Sequence, residues 1–363
     1  MGVTGKDIPS VFRQFACKGT YNEHYPYGSG HIHETWLVKT IESDTPDYIL
    51  QKISSDVFRN IPALMENIWL VTTSLAEKGS PSLQLVTTTG HQNYYLDELG
   101  DSWRLFVYIP DSLTLDQTDD PGQAYEAGKA IGNFQYLLSD LKPNLHETLP
   151  GFHDVEFRME QFREAWREDR AGRCSSVQAE RDRIEELYQA LAPFREMIAL
   201  GRFPLRLIHN DTKLNNILFD REGKAICMID LDTVMPGYVH YDVGDALRIM
   251  SNTAGEDERN LERVGLDFRI MEAFLKGYLG EALKFITPEE RECLPMAPLY
   301  MTFIIGLRFL TDHIQGDRYF HIRREGHNLD RARVQFAFAR KLNDFHDRIL
   351  DGFLNINSSN PII

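Results

Sequence analysis

Cysteine is scarce in this chain: the four in 363 residues, Cys17, Cys174, Cys227 and Cys293, stand far apart with no Cys-x-x-Cys pair. That spacing excludes a disulfide framework and a sequence-local zinc site, and it reads as a reduced, cytoplasmic protein. Positive charge is also short, with 39 Lys and Arg against 54 Asp and Glu and a net charge of −15. Neither nucleic acid nor an anionic membrane is expected as a partner, because both are gripped through basic patches. An anionic ligand would need a local positive site or a metal. Long apolar runs are missing too: the N-terminus "MGVTGKDIPS" has no basic or apolar leader pattern, and the richest stretch, "LYMTFIIGLRFL", is short and broken by Arg308. There is no internal repeat, which excludes a solenoid. "NSS" at Asn357 is read as a chance match to the glycosylation pattern. What is present, 42% hydrophobic and 26% charged residues, is ordinary globular composition with enough length for one large domain or two lobes.

The pattern changes near Tyr108 and Pro110. Before it, "YGSGHIHETWLV" puts Gly28 and Gly30 ahead of an alternating run, "YILQKI" reads as a strand, and a helix from Pro62 to "EKGSPS" carries Leu64, Ile68, Val71 and Leu75 on one stripe. "YYLDELGDSWRLFVYI" adds two strand-like runs around a Gly-Asp turn. After the boundary, helical periodicity dominates: Ile131, Phe134, Leu138 and Leu141 keep register in "QAYEAGKAIGNFQYLLSDL", and "VEFRMEQFREAW", "FRIMEAFLKGYL", "LYMTFIIGLRFLTDHI" and "RARVQFAFARKLNDFHDRIL" are further helices. The expectation is an α+β, bilobal chain: residues 1–108 form a small antiparallel-sheet N-lobe and residues 109–363 a larger, mainly helical C-lobe.

Between the C-lobe helices lies "PLRLIHNDTKLNNILFDREGKAICMID", which reads as strand, polar loop, strand, turn and strand. A turn needs two or three polar residues, yet His209, Asn210, Asp211, Thr212, Lys213, Asn215 and Asn216 fall within eight positions. The hairpin would bring Asp211, Asn216 and Asp230 to one edge. Phosphoryl transfer needs such a trio: a carboxylate beside the attacking hydroxyl, and a carboxylate with an amide oxygen to hold magnesium on the phosphates. The His-x-Asp-x-x-x-x-Asn spacing and the later Asp after an apolar strand follow the order of protein kinases.

"HNDTKLNNILFD" followed by "MIDLDTVMPGYVHYDVGDALR" resembles the signature of the aminoglycoside phosphotransferase and choline kinase family of small-molecule kinases. "YGSGHI", "WRL", "RFL", "GD", "YF" and "HNL" support the likeness over most of the chain, and within the family it leans toward kinases of N-acetylhexosamines. The resemblance implies a protein-kinase-like fold, with residues 1–108 as the nucleotide lobe and 109–363 as the catalytic and substrate lobe, and it implies Asp211 as catalytic base, Asn216 and Asp230 as Mg2+ ligands, and Asp242 and Asp245, with His209, as support for the catalytic loop. It implies ATP as phosphoryl donor, with Gly28, Ser29 and Gly30 covering the phosphates and the backbone around Phe106, Val107 and Ile109 meeting adenine. His31, Asp232, Arg308 and Asp312 are candidates for substrate contact. Asp232 is equally open as a second metal ligand or a turn residue, His33 is read as strand surface, and Arg308 with Asp312 is open as a solvated i,i+4 pair. One departure stands out: where these kinases place a strand base, Gln51 occupies the position and Lys52 is beside it, on the opposite face of a strand. Lys52 is taken as the phosphate contact through a shifted register, the alternative being a site without this contact. Glu66, roughly opposite the helix stripe, is read as solvated.

The function implied is transfer of phosphate from ATP to the anomeric hydroxyl of an N-acetylhexosamine. Two alternatives stand beside it: a kinase for another sugar, an amino alcohol or an aminoglycoside, and a nucleotide-binding pseudokinase, which the Gln51 departure favours and the intact Asp211, Asn216 and Asp230 oppose.

Overall fold

The computed structural model describes residues 7–28, 32–141 and 145–359, the last six as helical backbone only. The N-lobe comprises α1 (Ile8–Phe12), β1 (Tyr21–Pro26), β2 (Glu34–Thr40), β3 (Tyr48–Ile53), α2 (Ile61–Glu77), β4 (Leu85–Val86), β5 (Tyr95–Leu96) and β6 (Ser102–Val107). Its six strands form one antiparallel sheet in the order β1-β2-β3-β6-β4, with β5 also on β6. Period-two alternation gives this sheet two buried faces. Tyr48 and Leu50 of β3 and Trp103 and Leu105 of β6 pack outward against Ile8, Phe12 and Phe15. Ile53 and Phe106 point the other way, toward α2 and the C-lobe. Gln51 and Arg104, which face each other across β3 and β6, fall on that inner face by the same alternation. Helix α2 starts where Asn60 accepts the Ala63 N–H at 3.2 Å, and buries the Leu64, Ile68, Val71 and Leu75 stripe.

The C-lobe follows with α3 (Pro121–Leu138), α4 (Val155–Glu168), α5 (Gln178–Ala190), α6 (Ala192–Ala199), β7 (Arg206–Ile208), β8 (Ile217–Phe219), β9 (Ala225–Met228), β10 (Met235–Gly237), α7 (Val239–Met250), α8 (Phe268–Ala282), α9 (Pro288–Cys293), α10 (Ala297–Ile314), α11 (His327–Asp344) and α12 (His346–Ser359). The hairpin of β8 and β9 matches the expected strand–turn–strand, whereas β7 pairs with β10, a strand the sequence reading did not include. Helix α7 was also unanticipated. Helices α3 and α8 touch backbone to backbone: a Cβ on Gly128 would sit 2.0 Å from the Phe274 carbonyl oxygen, and one on Gly277 2.0 Å from that of Tyr125. Only hydrogen fits at either position. One helical stretch, Pro288–Ile314, is long and apolar enough to cross a membrane, but 83% of its most apolar window is buried inside the protein, where Phe303, Leu307, Leu310 and Ile314 join the core. That core runs without interruption from β3 and α2 into the C-lobe helices.

Candidate active site

The loop after β7 is held from all sides. Asp242, in the first turn of α7, accepts the backbone N–H of His209 at 2.9 Å, that of Asn210 at 2.7 Å and the Gln135 amide at 2.8 Å. It is fully buried, which pushes its pKa up, against the pull of His209 and these donors. Asn210 takes a left-handed φ of 64°, a strained choice for a residue with a side chain. Its carbonyl accepts from His153 Nε2 at 2.8 Å and its amide donates to the Thr233 carbonyl at 3.0 Å. His209 Nε2 bonds the Ile229 carbonyl at 2.8 Å, tying the loop to the end of β9. Gly244 lets α7 close on α10, since a Cβ there would lie 2.3 Å from the Ala297 carbonyl oxygen. Asp245 plays a different part from the expected loop brace: its carboxylate is bonded by Arg248 on its own helix at 2.8 and 3.0 Å, and that guanidinium, outweighing burial, lowers its pKa.

What this scaffold presents is Asp211, with a side chain 22% exposed. Asn216 donates its amide N–H to the Asp211 carbonyl at 2.8 Å and to its carboxylate at 3.0 Å, which leaves the Asn216 amide oxygen for another partner. Lys213 Nζ lies 3.0 Å from the same carboxylate; the sequence reading counted this lysine only among the polar residues of the loop. Asp230 adopts φ 58° at the end of the hairpin. Burial first, then the nearby Asp232 and Asp211 carboxylates, push its pKa up to about 7. A buried carboxylate crowded by like charge and an amide oxygen are hard oxygen donors that fit Mg2+, whose charge would relieve the crowding.

The N-lobe side corrects two expectations, at His33 and Lys52. Asp232 lies in the turn Leu231–Thr233, one of the readings left open for it; the buried Arg104 of β6 grips both its oxygens, and His33 Nε2 lies 2.5 Å from Oδ2. Burial would raise its pKa, but Arg104 and His33 hold it below the usual carboxylate range. His33 is therefore not strand surface; its side chain is 7% exposed, and its Nδ1 accepts the Ser54 N–H at 3.1 Å. Lys52 sits on the outer face of β3 with its ammonium 2.5 Å from Asp101, while Gln51 faces inward and accepts the Arg104 Nε–H at 2.9 Å. Strand alternation, with no register shift between β3 and β6, produces this arrangement. Glu66 is exposed and paired with His146. At the lobe junction the Val107 N–H donates to the Gln84 carbonyl, the Tyr108 N–H to that of Asp47, and the Ile109 carbonyl accepts from Ser112, so the strand backbone around Phe106 is partly committed. Gly28 has φ 80°, as a tight turn requires; Ser29, Gly30 and His31 lie outside the described residues.

On the other side of Asp211, Arg308 of α10 stacks among rings, its guanidinium 4.8 Å from the centre of Phe152, 5.5 Å from Phe320 and 5.6 Å from Tyr319. Phe152 adjoins His153, whose ring bonds the catalytic loop. Arg158 of α4 donates to the Phe152 carbonyl at 2.9 and 3.1 Å. Burial, then the charge of Arg308, lowers the Arg158 pKa to about 9; burial lowers that of Arg308. Among the described residues neither guanidinium forms a carboxylate ion pair. Asp312 is not Arg308's partner: it is buried and accepts the backbone N–H groups of Arg318 and Tyr319 at 2.8 Å, that of Phe320 at 2.9 Å and the Asn328 amide at 2.9 Å. It shapes the segment that carries Tyr319 and Phe320 instead of reaching a ligand. Arg104, Lys213, Arg158, Phe152 and Tyr319 were not singled out from the sequence as site residues, although "WRL" contains Arg104 and "YF" contains Tyr319.

Solved structures share this architecture. An aminoglycoside phosphotransferase from Alicyclobacillus acidocaldarius superposes with a TM-score of 0.67 at 15% identity, covering 97% of this chain and 98% of the other. A microcompartment-associated aminopropanol kinase gives 0.62 at 15% identity over 95% and 97%. An amicoumacin kinase, solved in complex with AMP-PNP, Ca2+ and Ami, gives 0.56 at 16% identity over 93% and 94%. At these identities the likeness is one of fold. Residues 24–278, well over half the sequence, match a family defined in its own right, and with the kinase-like loop now described this chain belongs to the phosphotransferase enzyme family.

Proposed function

We propose that the chain is an ATP- and Mg2+-dependent small-molecule kinase that phosphorylates the anomeric hydroxyl of an N-acetylhexosamine, releasing the sugar 1-phosphate and ADP. Asp211 accepts the hydrogen bond of the attacking hydroxyl and takes its proton late, as the new O–P bond forms. Lys213 and the Asn216 amide fix the rotamer of that carboxylate. Asn216 and Asp230 would hold Mg2+, which when bound neutralises charge on the phosphate oxygens. The bound AMP-PNP and Ca2+ of the amicoumacin kinase support a nucleotide with a divalent ion here.

The observation that carries the acceptor class is the pair of guanidiniums, Arg158 and Arg308, without carboxylate ion pairs among the described residues, Arg308 set against the rings of Phe152, Tyr319 and Phe320 and Arg158 on the Phe152 carbonyl. An ammonium acceptor such as an amino alcohol or an aminoglycoside would meet positive charge there. An N-acetylated sugar instead offers hydroxyl and amide oxygens to the N–H donors and C–H faces to the rings. Labelled ATP with a panel of N-acetylglucosamine, N-acetylgalactosamine, glucose, choline, aminopropanol and an aminoglycoside tests this. Formation of a sugar 1-phosphate from an N-acetylhexosamine is expected, and Asp211→Asn should lower turnover by about 100-fold or more with ATP affinity little changed. Preferential transfer to an amine would overturn the acceptor assignment, and nucleotide binding with no transfer to any of them would indicate a pseudokinase.

A further inference from the structure

We infer that Arg104 is the cation this chain presents to the nucleotide's phosphates, delivered from β6 in place of a basic residue on β3. The inference rests on the kinase reading and names the phosphate-side residue of that same site. Three observations lead to it. First, the β3 position on the inner face is Gln51, which has no charge to offer, and its cross-strand neighbour is Arg104. Second, Arg104 is anchored as a directed donor: Gln51 takes its Nε–H, and Asp232 takes one N–H from each terminal nitrogen, so three of the five N–H groups fix the plane of the fork. The other two find no acceptor among the described residues, and at 2% exposure water meets little of them. Buried donors without acceptors are costly, and phosphate oxygens arriving with the nucleotide would satisfy them. Third, the anchor is two residues from Asp230, and oxygens of the two carboxylates lie within 4.8 Å of each other. An oxygen cluster held at Asp230 therefore lies beside the guanidinium. His33, just ahead of β2, shares Asp232 with Arg104, so both lobes meet at this carboxylate.

Asp232 and Gln51 are thus positioning residues, and Lys52, on the outer face, takes no part. Calorimetric dissociation constants for adenosine, ADP and ATP, each with Mg2+ and in EDTA, test this without any acceptor. The variants are R104K, which keeps the charge but loses the fork; R104M/D232N, which removes both charges so that no carboxylate is left buried alone; and K52M. In R104M/D232N the Kd for ADP and ATP should rise about 10- to 100-fold with and without Mg2+, the range for hydrogen bonds to a charged group, while adenosine changes by less than about two-fold. R104K should fall between, and K52M should match the parent. Equal losses for adenosine would make Arg104 a packing residue only. A loss confined to Mg2+ would place its effect on Asp230, and a phosphate-dependent loss in K52M would return the role to Lys52; each result overturns the inference. R104K carries the same phosphate ladder if the double variant fails to fold. Because no acceptor is present, a parent that binds ADP but phosphorylates no sugar would sink the sugar reading and leave this one standing.

Discussion

Replacing Asp242 by asparagine removes one oxygen from the centre of the catalytic loop and leaves the shape unchanged. The carboxylate receives three N–H groups at 2.7–2.9 Å with the side chain fully buried. An amide oxygen can retain one of the two backbone donors, but its NH2 group would face the other, donor against donor. The loss of one charge-assisted hydrogen bond is about 1.5–3 kcal/mol, and a backbone N–H stranded in the interior brings a partly overlapping penalty of about 1–3 kcal/mol. Taking about 3 kcal/mol in all, and roughly 2–4 °C per kcal/mol for a domain of this order of size, Tm should fall by about 6–12 °C. The loss is less than the usual total of about 5–15 kcal/mol, so the variant stays folded at room temperature. Turnover should fall further than stability suggests. The left-handed Asn210 is pinned by the bond to Asp242, and relaxation there moves Asp211, where a shift of about 1 Å can cost about 100-fold. Differential scanning calorimetry and single-turnover transfer at 20 °C read the two effects separately. A Tm within about 1 °C of the parent together with unchanged turnover would refute the claim that Asp242 organises the loop.

Arg308→Ala should lower kcat/KM for the sugar by about 1.5–3 kcal/mol, roughly 10- to 150-fold, with KM for ATP nearly constant; equal losses for both substrates would remove Arg308 from the acceptor pocket. His240 is buried with Nε2 2.8 Å from the Glu290 carbonyl, and burial depresses its pKa from 6.5 to about 4. The unfolded chain therefore binds its proton first, so the stability it contributes is complete above pH 6.5 and is lost as pH falls toward 4. At pH 5 the loss is about 2 kcal/mol, and H240Q, which keeps a donor without titrating, should show a shallower fall in Tm from pH 7 to pH 5 than the parent. Equal slopes would count against a neutral buried His240. Gly128→Ala puts a methyl 2.0 Å from a carbonyl oxygen of α8 and should destabilise by about 1–3 kcal/mol; an unchanged thermal midpoint would show that the two helices part freely.

The sequence revealed most where residues alternate between core and solvent. The α2 stripe and the β3 strand follow from apolar spacing, and the polar crowding around Asp211 pointed to phosphoryl transfer. Helix α7 was legible but unread: Asp242, Asp245 and Arg248 recur every three residues, a helical period, yet eleven of its twelve residues are buried and the segment was taken only for its carboxylates. Strand β10 is three residues with a proline in the middle, too short and too irregular to read. The misplacement of Lys52 has a different source: alternation along β3 was available, but the cross-strand register that sets Arg104 opposite Gln51 is a property of two distant segments. The assignment of Asp312 failed for the same reason, and the Arg104 partner of Asp232 stayed hidden, since a lone acidic residue in a sequence does not tell which N–H groups will find it. His33 was read as surface because its partners, Asp232 and Ser54, are remote in the chain or in the alternation.

Asn67 of α2, itself buried, donates to the carbonyls of His146 and Val234 and accepts the His146 N–H. Through these bonds α2 is fastened to C-lobe chain even though it precedes the crossover at Tyr108 in sequence. Amide exchange should therefore report α2 in the same cooperative unit as α3 and α7, with the sheet joined to that unit through Arg104 and His33 on Asp232.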